Sequence, residues 1–344
     1  MDLSICTFNI NNLYSRYRFG KKIPGVKTPK PSAGADSGFS SGFIPWQFQV
    51  LPTVKRKLAA LSIGRGSGFY PDMLCLQEVE SLPALRRFNG KHLNAVYSHM
   101  ILIESQDIRR IHTGILSARP LCCLRSHLHL RDPEPDDPKK PFLFPRDCIE
   151  VDISGGSDRN EKVTFLVCHF KSGLEKSEES VEQAQAFRQR QAEGVVEILK
   201  ERFPGSAFDT GLFAVVGDLN DHPDSESLRP LTRESGMVSA MERIEDPRDR
   251  WTYWLRKKNA VFPFDQILLS PRLDEKSAGS LPEIERRGIG FRRYVKKKLQ
   301  GPRRVYRYQP GDGEPGRIDF QFERFDDVTP KFQASDHCPV FFSL

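Results

Sequence analysis

Short apolar runs of strand length recur along the whole chain, and they constrain the fold more than any other feature. They are Leu3 to Phe8, Met73 to Leu76, His99 to Ile103, Gly114 to Leu116, Cys148 to Ile153, Val163 to Cys168, Leu212 to Val216, Gln266 to Leu269 and Cys338 to Phe342. Rich in Val, Ile, Phe and Cys and bounded by Gly, Pro, Asp and Ser, they have the composition of strands in a largely buried sheet. Periodicity does not separate such runs from buried helical pieces; length and flanks do. Two segments carry helical spacing instead. Val50 to Ile63 places Lys55, Arg56 and Lys57 on an outer face and stops at Gly64. Ser180 to Phe203 carries the apolar stripe Ala184, Phe187, Ala192, Val195, Val196 and Leu199 and stops at Pro204-Gly205.

At 344 residues the chain has the length of two average domains or of one large α/β or β-sandwich domain. Because chemically similar residues end strand-like runs from residue 9 to residue 337, one domain spanning 1–344 is expected. Otherwise one site would have to be assembled across a boundary. Insertions interrupt this plan near 19–45, 132–145 and 286–308. The first is rich in Gly, Ser, Pro and Lys and is expected to be a long loop. The second, Asp132 to Pro145, is proline-rich and is expected to be an extended surface excursion. The third is strongly basic from Arg286 to Arg307, with Phe291, Tyr294 and Tyr306 interleaved.

The net charge of +7 and pI near 9.0 point to a polyanionic partner, nucleic acid or an anionic membrane surface, without choosing between them. Seven cysteines without regular spacing or a CxxC pair read as reduced, mostly buried thiols rather than a disulfide framework. No apolar stretch approaches the roughly 20 residues of a membrane span, and no signal-peptide pattern is visible, so a cytoplasmic location is expected.

The residues that end the apolar runs share one chemistry. Asn9 follows Cys6-Thr7-Phe8, and Glu78 follows Leu76-Gln77. His169 opens His169-Phe170-Lys171-Ser172, and Asp265 lies between Phe264 and Gln266. Gly217-Asp218-Leu219-Asn220 delivers a carboxylate and an amide two residues apart, which strand geometry would place on one side. That carboxylate can orient or deprotonate a water, and the amide can donate to a phosphoryl oxygen. An Asx-rich turn is the alternative reading. Ser335-Asp336-His337 sets an imidazole beside a carboxylate. Neighbours in an extended chain face opposite ways, so Asp265 is the better candidate partner for His337. His169 reads either as a donor to phosphate or as a structural residue. Hard oxygen ligands such as Glu78 suit magnesium, which keeps several waters.

The ordered set Asn9, Glu78, His169, Asp218-x-Asn220, Asp265 and Asp336-His337 resembles the endonuclease/exonuclease/phosphatase superfamily. Gly114-Ile115-Leu116-Ser117 and Arg146 are lesser landmarks, and the match covers nearly the whole chain. The resemblance implies a four-layer α/β sandwich, in which two mixed β-sheets pack face to face with helices outside and the site at one sheet edge. It further implies that Glu78, Asn9 and Asp336 hold Mg²⁺, for which Mn²⁺ would substitute. By the same resemblance Asp218 positions the attacking water, Asn220 binds a phosphoryl oxygen, His337 paired with Asp265 acts as base or electrostatic stabiliser, and His169 contacts the scissile phosphate. Which histidine is base and which is acid stays open.

Inositol phosphatases of the superfamily carry Trp-Cys-Asp-Arg where this chain has Phe264-Asp265-Gln266-Ile267, which disfavours that specificity. The His169-Phe170-Lys171-Ser172 segment looks more like the deoxyribonuclease and bacterial-nuclease branches. The expected activity is therefore metal-dependent hydrolysis of phosphodiester bonds in DNA or RNA. Arg146, Lys171, Arg292, Arg293, Lys296 and Lys297 are the candidate substrate contacts. Cations and aromatics in the basic stretch suit phosphates and bases, while a solvated loop or a patch for anionic lipid are the alternatives. A phosphomonoesterase or phospholipid-type phosphodiesterase on the same scaffold is the runner-up. A silent nucleic-acid-binding or protein-binding module is the alternative of another class, disfavoured because the acid, amide and histidine positions are intact.

Overall fold

Alternation along the strands dictates the layering. The computed structural model describes residues 2–18, 47–50, 53–107, 109–135, 141–154, 161–173, 178–257, 260–290, 304–308, 316–320, 324–329 and 331–344. One mixed sheet runs in the order β15 (Glu283–Ile284), β18 (Val340–Ser343), β1 (Ser4–Leu13), β4 (Met73–Val79), β6 (His112–Ser117) and β5 (His99–Leu102). A second runs β11 (Val238–Ser239), β14 (Asp265–Leu269), β10 (Phe213–Asp218), β9 (Lys162–His169), β8 (Ile149–Ser154) and β7 (Leu121–Ser126). Each has one parallel pair, β1 with β4 and β9 with β10, and antiparallel neighbours elsewhere. Parallel neighbours need a crossover. The helices α1 (Thr53–Ile63) and α3 (Glu178–Arg202) lie in those two connections.

Ile5, Met73, Cys75, Ile115 and Val340 of the first sheet meet Val163, Phe165, Val167, Ala214, Val216, Ile267 and Leu269 of the second in one buried cluster. The intervening residues point the other way. Cys6, Phe8, Leu74 and Leu76 pack on Leu58, Ala59 and Ile63 of α1 and on Leu85 and Phe88 of α2 (Leu82–His92). Leu166, Cys168, Phe213 and Val215 pack on Ala192, Val195 and Leu199 of α3. The result is helix, sheet, sheet, helix, the sandwich expected from the sequence. Burial of each large side chain contributes about 1.5–3 kcal/mol, which is why the two-fold alternation holds register so firmly.

Two local expectations are corrected. The helix expected from Val50 starts at Thr53, because Gln47–Val50 (β3) pairs antiparallel with Ser15–Arg18 (β2). The 132–145 segment is not an extended surface excursion over its described residues. Leu143 and Phe144 are buried against α3, and Asp132 pairs with Arg190 of that helix at 2.7 Å. Helix α2 has no strand-like warning in its sequence, yet its start is legible: the Ser81 hydroxyl accepts from the Ala84 amide at 3.3 Å, with proline in the first turn. Short helices α4 (Ala207–Thr210) and α5 (Pro271–Lys276) flank β10 and β14.

A smaller sheet, β12 (Tyr253–Leu255), β13 (Ala260–Phe262), β16 (Arg304–Tyr308) and β17 (Gly316–Phe320), joins the second half of the basic stretch to the body. Arg286 and Arg287 at its start are structural. The Arg286 guanidinium lies 4.6 Å from the Trp251 ring, and Arg287 pairs with Glu285 and covers the Phe325 ring at 4.9 Å. Residues 19–46 and 291–303, and with them Arg292, Arg293, Lys296 and Lys297, lie outside the described residues. All seven cysteines are free and five are buried. No described helix is long and apolar enough to cross a membrane.

Candidate active site

The inward-facing row of the sandwich stays apolar until its last position, where it turns polar on adjacent strands. Val163, Phe165 and Val167 lead to His169; Ala214 and Val216 lead to Asp218; Leu269 and Ile267 lead back to Asp265. Register makes Asp218 the direct partner of His169 on one side and of Asp265 on the other. From the facing sheet Asn9 closes the row, donating from Nδ2 to Asp218 Oδ2 at 2.9 Å. Gly217 permits this convergence. A Cβ there would lie 1.9 Å from the Cys168 carbonyl oxygen, and its φ is +145°.

His337 completes the cluster. Its Nδ1 is 2.8 Å from Asp265 Oδ2 and its Nε2 is 3.7 Å from Asp218 Oδ2. The Tyr253 ring lies tilted against the imidazole, centroids 4.5 Å apart, and the Ser335 hydroxyl accepts from the His337 amide while donating to the Asn9 carbonyl. Burial works against charging this imidazole, but Asp265 and Asp218 outweigh it and raise its pKa to about 10. It is an imidazolium at neutral pH. Burial pushes the Asp218 carboxyl up to about 7, against the pull of His337, with Asp265 adding to the rise.

The second histidine has the opposite character. Burial, then Arg146, hold His169 neutral, with a pKa well below the usual value. Arg146 is itself buried; its Nη1 lies 3.0 Å from His169 Nε2 and its Nη2 donates to the Phe170 carbonyl at 2.5 Å. A guanidinium can only donate, so His169 Nε2 accepts and the proton sits on Nδ1. Nε2 is also 3.5 Å from Asp218 Oδ2.

Backbone irregularities aim several of these groups. Asn220 does not share a face with Asp218 by strand alternation, as the sequence suggested. Strand β10 ends at Asp218, Asn220 adopts φ +55°, its amide nitrogen donates to the Phe170 carbonyl at 3.1 Å, and its backbone N–H donates to Asp218 Oδ1 at 3.0 Å. The Asx turn and the cluster are the same object. Glu78 has φ +64° where the pairing of β4 slips, so Val79 takes the next place in the outer core and Glu78 is displaced from it. Asn11 and Asn12, φ +51° and +65°, produce the matching slip in β1, and Asn11 donates to Asp336 Oδ1 at 2.6 Å. Such strain in non-glycine residues is concentrated at functional sites. Asn11, Tyr253 and Ser335 were not singled out from sequence. Lys171 sits beyond β9, its backbone N–H bound to Gln191.

Two donor sets suit a cation. Ligand atoms of Asp218, Asp265 and His337 lie within 4.8 Å of one another. In that set His337 Nδ1 already lies 2.8 Å from Asp265 Oδ2. Glu78 with Asp336 forms the second set. Burial, then the nearby Asp336 carboxylate, raise the Glu78 pKa, while no hydrogen bond to its carboxylate occurs among the described residues. A buried carboxylate whose charge is opposed by a second carboxylate beside it is what a divalent cation relieves.

The family model described as "Endonuclease/Exonuclease/phosphatase family" matches residues 6–337. Comparison with curated proteins gave no match. Among solved structures, D. rerio TDP2 complexed with single-strand DNA product is similar at 15% identity and a TM-score of 0.53, covering 99% of this chain and 98% of that one. Sphingomyelinase C from Streptomyces griseocarneus is similar at 12% identity and 0.54, covering 100% and 99%. The human nocturnin catalytic domain with bound sulfate anion stands at 14% and 0.53, covering 99% and 93%. These likenesses show the shared fold, and with the family match over nearly its whole length, the chain belongs to the Endonuclease/Exonuclease/phosphatase family.

Proposed function

We propose that this protein is a magnesium-dependent phosphodiesterase that hydrolyses nucleic-acid phosphodiester bonds. The observation that carries the reading is the pairing of an imidazolium, His337, with a carboxyl tuned to about 7, Asp218, 3.7 Å apart at the end of the sandwich. A base whose pKa lies near neutrality takes a proton from water most effectively at neutral pH. Asp218, oriented by Asn9, accepts that proton as the water oxygen attacks phosphorus in line and the bond to the leaving oxygen breaks. His337, held by Asp265, offers Nε2–H to a non-bridging oxygen as its charge grows. Neutral His169, fixed by Arg146, lines the same space, and Asn220, whose Nδ2 donates one hydrogen to the Phe170 carbonyl, would bind a phosphoryl oxygen with the other. Mg²⁺ held by Glu78 and Asp336, with Asn9 adjoining, would supply neutralisation of charge on the phosphoryl and leaving oxygens.

The polyanion preference rests on the net charge of +7 and on the likeness to TDP2 crystallised with single-strand DNA product. A phospholipid-type phosphodiesterase is the second reading, favoured by the equally extensive likeness to sphingomyelinase C. The test is turnover of single- and double-stranded DNA, RNA and choline phospholipids by purified protein with Mg²⁺, Mn²⁺ or EDTA. Nucleic-acid cleavage that needs the cation and is lost in folded Asp218→Asn and His337→Ala supports the proposal. Cation-dependent turnover of lipid alone sinks it.

A further inference from the structure

Strands β9 and β10 end at His169 and Asp218, so the residues just beyond them need partners outside the sheet for their backbone groups. Helix α3 supplies them. Gln191 Oε1 accepts from the Lys171 N–H at 2.9 Å, and one turn earlier Arg188 Nη1 donates to the Lys171 carbonyl at 3.2 Å. The same guanidinium reaches the loop after β10. Its Nε and Nη2 both donate to Asp221 Oδ2, at 3.0 and 2.5 Å, and the Ser227 hydroxyl donates to that oxygen at 2.7 Å. The two loops also meet at the Phe170 carbonyl, which accepts from Asn220 Nδ2 at 3.1 Å and from Arg146 Nη2 at 2.5 Å. Arg188 is 3% exposed, which puts it out of a substrate's reach.

We propose that Arg188 is a positioning residue for the hydrolysis: by holding Asp221 and Lys171 at once, it fixes the turn in which Asn220 presents its amide to a phosphoryl oxygen. The inference rests on the phosphodiesterase reading above and assigns how its phosphate contact is held. Asn220 has φ +55°, a conformation that a non-glycine residue keeps only where its surroundings over-determine it. On one side the constraint is its own backbone N–H, bonded to Asp218 Oδ1 at 3.0 Å. On the other it is Asp221, whose carboxylate is tied to Arg188. One hydrogen of Asn220 Nδ2 is directed to the Phe170 carbonyl, so the aim of the other depends on where Phe170 sits relative to the turn. Lys171, the next residue, is anchored by Arg188 and Gln191. One guanidinium therefore sets both the turn and the group against which the amide is oriented. A planar fork can meet acceptors on two loops; a lysine ammonium in its place keeps the charge but not that geometry.

The experiment joins steady-state hydrolysis of bis(p-nitrophenyl) phosphate with Mg²⁺ to backbone amide exchange followed by NMR, both on the full-length protein. Arg188→Lys and Asp221→Asn are each expected to lower kcat by about ten- to a hundredfold with little change in KM, because a misplaced amide is missed most in the transition state. In an Asn220→Gly background, where glycine accepts the same φ, Arg188→Lys should have almost no further effect on kcat. The backbone N–H groups of Asn220 and Lys171 should exchange about tenfold faster in Arg188→Lys, while that of Val215 within β10 keeps its rate. A kcat loss of equal size in both backgrounds would mark a purely structural tie and overturn the proposal, as would unaltered exchange at Asn220. Absence of turnover with every phosphodiester refutes the hydrolytic reading, and the exchange rates then decide alone whether Arg188 sets the Asn220 turn.

Discussion

Replacing Asp265 by asparagine tests the central electrostatic claim. The substitution keeps the shape and a hydrogen-bond acceptor 2.8 Å from His337 Nδ1 but removes a charge buried at 0% exposure. A unit charge at that distance, in an effective dielectric of about 20, is worth about 6 kcal/mol. The rise of the imidazole from 6.5 to about 10 requires roughly 5 kcal/mol net, against the opposing effect of burial. Because asparagine still accepts the hydrogen bond, roughly 4 kcal/mol of this is lost, and with Asp218 remaining the pKa of His337 should fall by about three units, to about 7. At pH 8 the charged fraction then drops from nearly all to roughly one tenth, whereas at pH 6 it stays near nine tenths. Phosphodiester hydrolysis should accordingly fall about tenfold at pH 8 and little at pH 6, and the His337 ring resonance should titrate near neutrality by NMR. The stability consequence has a definite sign. A folded-state pKa raised above the unfolded value stabilises fully below about 6.5 and loses that contribution as pH rises through about 10. The gap between wild type and variant in urea unfolding should therefore be widest on the acid side and close toward pH 10. A ring that still titrates near 10 in the variant, or an activity loss of equal size at pH 6 and pH 8, would refute the reasoning.

Three further outcomes are expected. Mg²⁺ should raise the melting temperature of the wild type near pH 7 and of Glu78→Gln not at all. The wild-type shift should shrink as pH falls, because the raised Glu78 pKa makes protons compete with the cation; calorimetric titration checks both. Gly217→Ala should cost more than about 3 kcal/mol or prevent folding, since its Cβ would strike the Cys168 carbonyl oxygen. Gly205→Ala, with φ +58° but nothing within 4 Å, should cost about 1 kcal/mol in denaturant unfolding.

What could be read from the sequence follows physical lines. The central strands β1, β4, β9, β10 and β14 are buried on both faces, so their runs are apolar enough to stand out. Strand β7, at a sheet edge, exposes Cys123, Leu124 and Arg125 and gave no such signal. The small sheet pairs residues 47 positions apart, Ala260 with Arg307, and nothing local announces it.

The sequence by itself determined the layered α/β fold and the polar residues that end its strands, because both are properties of alternation and of strand ends. The tertiary structure alone decided how those residues divide their labour. Two histidines at the ends of similar strands became an imidazolium and a neutral ring, since one lies beside Asp265 and Asp218 and the other beside Arg146. Slips in β1 and β4, at Asn11, Asn12 and Glu78 rather than at glycine, turned Asn11 toward Asp336 and displaced Glu78 from the outer core. A charge's neighbours through space set its protonation, and those neighbours lie more than two hundred residues away in the chain, as Asn9 and Asp218 do, or Asn11 and Asp336.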